Sequence, residues 1–133
     1  DDPAPSRHEG WDAAFSRWPK WSDSLIYLQA RETRVADWTN FISIYGSLLL
    51  EPLEKVKLSL AWHHLLAAEK TLPTALLSGD GRNRGELFIV KITYDIGKNL
   101  AGRLIWENFR PGNCFFRGAD PYHWVQVELF FRF

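Results

Sequence analysis

Trp124-Val125-Gln126-Val127-Glu128-Leu129-Phe130-Phe131-Arg132-Phe133 closes the chain, and its pattern sets the reading of everything before it. Counting back from Phe133, every second residue is apolar: Phe131, Leu129, Val127 and Val125. Gln126, Glu128 and Arg132 stand between them. Successive side chains of an extended chain point to opposite sides. A period of two therefore describes a strand over 122–133 with one apolar and one polar face.

The same alternation recurs upstream. In 41–51 (FISIYGSLLLE), Ile42, Ile44, Gly46, Leu48 and Leu50 share a face, and in 56–66 (VKLSLAWHHLL) Val56, Leu58, Leu60, Trp62 and His64 do. In 86–96 (ELFIVKITYDI), Phe88, Val90, Ile92 and Tyr94 lie opposite Lys91, Thr93 and Asp95. In 100–109, Leu104 and Trp106 lie opposite Arg103, Ile105 and Glu107. Tight turns are expected at 51–55 and at Gly97-Lys98-Asn99, and long connections over 67–85 and 110–121, both rich in turn formers. The sum is an all-β, antiparallel up-and-down meander of five or six strands. Residues 1–40 read as a loop region punctuated by Pro3, Pro5 and Pro19, with 24–30 as the candidate sixth strand.

Composition narrows the function. The chain has 133 residues, a formal net charge of +0, one Cys, four His and no Met. That length allows one domain. Balanced charge argues against nucleic acid, which needs a basic face. The lone Cys114 excludes an internal disulfide and a cysteine-based zinc site. No apolar run is long enough for a transmembrane helix, a test that strands of alternating character escape. A start at Asp1-Asp2 without Met or leader-like pattern predicts a processed chain or a fragment. His63 and His64 are adjacent on a strand, point to opposite faces and cannot chelate together. Asp80-Gly81-Arg82-Asn83 lacks the spaced carboxylates of a calcium loop. With no nucleophile elbow, phosphate loop or HExxH motif, no catalytic, metal or cofactor site is expected, and the chain does not read as an enzyme.

Aromatic residues make up 15% of the chain, with seven Trp. Such a load suits a membrane barrel, whose rings gather at both water interfaces, or a carbohydrate-binding face. The alternation of tight turns with long loops favours the barrel, as do strands close to the roughly 9–11 residues that cross a bilayer. The terminal strand, ending on Phe133, resembles the C-terminal signal strand of bacterial outer-membrane proteins. The stretches Phe15-Ser16-Arg17-Trp18-Pro19-Lys20-Trp21, Ala36-Asp37-Trp38-Thr39-Asn40 and 97–113 (GKNLAGRLIWENFRPGN) resemble the C-terminal part of alginate-export-type porins.

That resemblance implies the C-terminal portion of a transmembrane β-barrel in the bacterial outer membrane. It implies a channel for small polar or anionic solutes, or for export of a polysaccharide. Phe133, Phe131, Leu129, Val127 and Val125 would be the assembly signal read by the barrel assembly machinery. Lys57, Lys91, Arg103 and Arg132, with Glu51, Asp95, Glu107 and Glu128, would line the lumen, four charges of each sign forming a salt-bridged ladder. Tyr122 and Trp124 are expected at the outer lipid interface, and Tyr94, Phe131 and Phe133 at the inner one. Natural barrels need about eight strands or more, so the partners expected are membrane lipid and either the missing strands of the parent barrel or further copies. The alternative from another class is a soluble β-sandwich that binds carbohydrate by Trp stacking.

Overall fold

The computed structural model describes residues 21–24, 41–70 and 81–133. Five strands form one antiparallel sheet in the order β1-β2-β3-β4-β5: β1 Ile42–Leu53, β2 Val56–Leu66, β3 Asn83–Gly97, β4 Leu100–Pro111 and β5 Tyr122–Phe131. Among the described residues each strand pairs only with its neighbours in sequence, and the sheet does not close. The meander follows from the turns. Glu54-Lys55 and Lys98-Asn99 reverse the chain tightly, whereas 67–82 and 112–121 are longer connections. Both tight turns therefore lie at one end of the sheet and both longer connections at the other. The candidate strand over 24–30 lies outside the described residues apart from Ser24.

Strand limits depart from expectation where partners decide them. β1 extends over Pro52, which an edge strand tolerates because the missing N–H has no neighbour to serve on that side. β3 begins at Asn83, inside the run of turn formers. Asn83 pairs with Leu66 across a bulge, and its carbonyl accepts the Cys114 N–H at 2.8 Å. Gly85 makes this junction, with φ of +122°. A Cβ there would lie 2.1 Å from the Arg110 carbonyl oxygen, so only glycine lets the two strands close. β5 stops at Phe131, short of the expected 133, because Phe131 faces Leu100, the first residue of β4. One further bond, Arg132 N–H to the Asn99 carbonyl at 2.9 Å, ends the ladder.

Register divides the residues into two faces without slippage through the middle of the sheet. Leu48, Leu60, Val90, Trp106 and Val125 form one continuous row, and Leu58, Ile92, Leu104 and Val127 form the next. This apolar face is open: Val127 is 72% exposed and Leu48 52%. The other face is mixed. Its turn side carries Lys57, Thr93, Arg103 and Glu128 in one row. Its loop side carries the buried cluster Leu65, Leu87, Ile89, Ile105 and Phe109, against which Trp21, Phe41, Ala61, Phe115 and Tyr122 pack. The core of this protein thus sits on the face that also bears its charges.

Candidate functional site

The mixed face carries most of the side chains with polar chemistry, and two distinct environments share it. On the turn side the charges lie at an open or half-open surface. Lys57 Nζ lies 3.9 Å from Glu51 Oε1, both side chains well exposed. Arg103 Nη1 lies 3.1 Å from Glu128 Oε2, a charge contact without hydrogen-bond geometry. Glu128 Oε1 accepts a 3.0 Å bond from Gln126 Nε2, and Trp124 Nε1–H points at Gln126 Oε1 at 3.4 Å. The Arg103 guanidinium also sits 4.8 Å from the centre of the Phe130 ring. Alternation aligns this chain of contacts, since Trp124, Gln126 and Glu128 are successive residues on one side of β5.

On the loop side Glu107 is fully buried. Its carboxylate accepts hydrogen bonds from Ser22 Oγ at 2.7 Å and from Ser24 Oγ. The backbone N–H groups of Asp23 and Ser24 point at the same carboxylate at 3.3 Å each. A buried carboxylate without partners would be costly, and several converging donors offset that cost. Trp21 lies beside this anchor. Its ring stacks on His63 with centroids 4.3 Å apart, His63 stacks on Tyr45 at 5.5 Å, and Trp21 meets Phe41 at 6.4 Å. Ser43 Oγ and His63 Nδ1 are 3.1 Å apart, and Lys91 Nζ donates to the Trp21 carbonyl at 3.4 Å. Residues 21–24 are therefore seated on the strands by a carboxylate, an imidazole and an ammonium from β4, β2 and β3.

This arrangement revises the ladder of eight charges. Two cross-strand contacts form, Lys57 with Glu51 and Arg103 with Glu128. Lys91 and Glu107 turn instead to the segment lying on them. Asp95 and Arg132 stand exposed at the turn end, outside any ion pair among the described residues. The expected outer girdle is also corrected. Tyr122 and Trp124 belong to the mixed face: the Tyr122 ring lies 5.3 Å from Phe109, and its Oη is 3.3 Å from Ser24 Oγ. The parity that puts Val125 and Val127 on the apolar face requires this. The rings on the loop side of the apolar face are Trp62, Phe88 and Trp106. Tyr94 and Phe131 are on that face at the turn side.

His63 and His64 do occupy opposite faces. His64 Nδ1 lies 3.8 Å from Glu86 Oε1 on the apolar side. Among the described residues no cluster of three metal-ligating side chains occurs. Val125, Val127, Leu129 and Phe131 line up on the exposed apolar face, while Phe133 lies beyond β5 in solvent. Periodicity alone missed the dry half of the mixed face. The usable signal was Leu87-Phe88-Ile89-Val90, a continuous apolar run of the kind that marks a strand covered on both sides. No protein-family model matches this chain, and neither does any curated protein or solved structure.

Proposed function

We propose that this chain is a section of the wall of a channel in the bacterial outer membrane, of the alginate-export-like porin kind suggested by its sequence. The observation that carries the reading is the continuous apolar face, exposed across five strands from Leu48 to Phe131. Monomeric proteins in water rarely leave a contiguous apolar patch of that extent uncovered. Lipid is the natural cover, because strands that satisfy one another's backbone groups can meet hydrocarbon with side chains alone. The mixed face then borders the lumen. Its turn-side half, with Lys57, Asp95, Arg103 and Glu128, meets passing polar or anionic solute, and residues 21–24 narrow the loop-side half.

The open edges of β1 and β5 call for further strands. Each unpaired backbone group in hydrocarbon costs several kcal/mol. Closure by other strands of the same protein or by further copies removes that cost. The test is insertion. The full-length protein should partition into lipid vesicles and raise their permeability to small sugars and uronates. Purification as a buffer-soluble monomer that binds oligosaccharide would replace the channel with the sandwich reading, in which a second sheet covers the apolar face.

A further inference from the structure

The apolar face is not flat. A hollow of about 640 Å³ opens on it, walled by Leu48, Leu60, Trp62, Phe88 and Trp106. Its floor is Gly46, in the middle of β1, where every neighbour on that face has a side chain. No backbone demand explains this glycine. A Cβ built on it meets nothing within 4 Å, and its φ is not in the left-handed region. What glycine provides at this position is space.

The upper end of the hollow is chemically different from its floor. Arg110 and Asn108 border it there. Ile44, His64, Glu86 and Arg110 form the next row of the sheet toward the loops, so Arg110 stands about 13 Å along β4 from Trp106 at 3.3 Å per residue. The Arg110 side chain is exposed and forms no hydrogen bond or ion pair among the described residues. Glu86, its cross-strand neighbour, lies 3.8 Å from His64. An apolar hollow with aromatic walls, capped at one end by an uncommitted guanidinium, is complementary to a molecule with a hydrocarbon chain and an anionic head. Guanidinium presents paired N–H donors that match phosphate oxygens.

We infer that this hollow is a specific lipid site: an acyl chain lies across the row that runs from Gly46 past Trp62 and Phe88, and the lipid's net anionic head group is held by Arg110. The inference rests on the channel reading, which turns this face to the bilayer, and adds a defined occupant to it. An anionic lipid held there would fill the gap among Trp62, Phe88 and Trp106 and keep that part of the wall free of voids.

The test uses the full-length protein in nanodiscs of equal parts phosphatidylcholine and phosphatidylglycerol, with retained lipid identified by native mass spectrometry. The expected result is enrichment of phosphatidylglycerol by about twofold to fivefold, the scale of an exposed charge contact. Arg110→Gln should bring the ratio to parity, and the loop control Arg117→Gln should leave it unchanged. Gly46→Leu, which the open space accommodates, should reduce retention of both lipids. Unchanged enrichment in Arg110→Gln, or unchanged retention in Gly46→Leu, overturns the site while leaving the channel standing. Failure of the wild-type protein to enter nanodiscs overturns both.

Discussion

Phe109 and Arg103 stand on the same side of the same strand in opposite surroundings. Phe109 is buried against Phe115 and Tyr122, and Arg103 reaches from an open surface to Glu128. Glu107, between them, is buried like Phe109 although it is charged like Arg103. The difference is what lies on top. Residues 21–24 and the 112–121 connection return onto the loop side of the mixed face, and nothing among the described residues returns onto the turn side. Charge on a strand face is therefore no guide to whether that face is wet. The covering segment decides it, and it brings its own hydrogen-bond donors where it meets a carboxylate.

Substitutions at matched positions probe this contrast. Phe109→Ala should lower folding stability most, by roughly 3–5 kcal/mol, since it opens a cavity where neighbours are already packed. Guanidinium titration of the detergent-refolded protein measures it, and a loss no larger than that of Arg103→Ala would erase the distinction between the two halves. Val127→Arg comes next and tests the other face. It should cost about 2–4 kcal/mol in a bilayer near the midplane, whereas Gln126→Arg on the mixed face should be close to neutral. Equal effects would mean that lipid does not cover the apolar face.

Glu107→Ala should cost about 1–3 kcal/mol, because it strands the Ser22 and Ser24 donors in a buried site. Glu107→Gln should recover part of the loss, since an amide still offers one acceptor. On the turn side, removing the Lys57–Glu51 pair by a double substitution should change stability by less than about 1 kcal/mol, and less still at high salt. Deleting Phe133 should leave the refolding energy unchanged, because the residue is fully exposed beyond the end of β5. If it belongs to an assembly signal, outer-membrane levels of the full-length protein should fall even so. Normal levels would remove that role and weaken the argument from the terminal strand.

Most of the sheet was legible because a two-residue period is a local property. The alternation from Val56 to His64, or from Val125 to Phe131, needs no knowledge of neighbours, and β2 has the limits expected of it. Errors clustered at strand ends, where bonding to a partner overrides composition. Asn83-Arg84-Gly85 reads as turn and pairs as strand because Leu66, Gly112 and Cys114 supply its partners. Tyr122 and Trp124 were misplaced for another reason. Aromatic type suggested an interface position, while parity within β5 put both on the mixed face, and parity is the stricter constraint.

The amino-acid sequence by itself determined the all-β meander, the tight turns at one end and the identity of the apolar face. Each follows from spacing, turn chemistry and chain direction within a few residues. Only the tertiary structure decided which charges share water and which are covered. Glu107 and Glu128 carry the same group on neighbouring strands, and nothing local distinguishes them. Glu107 lies where residues 21–24, more than eighty positions earlier in the chain, fold back with two serine hydroxyls. Burial is set by what arrives from elsewhere, and no period within a strand encodes that arrival.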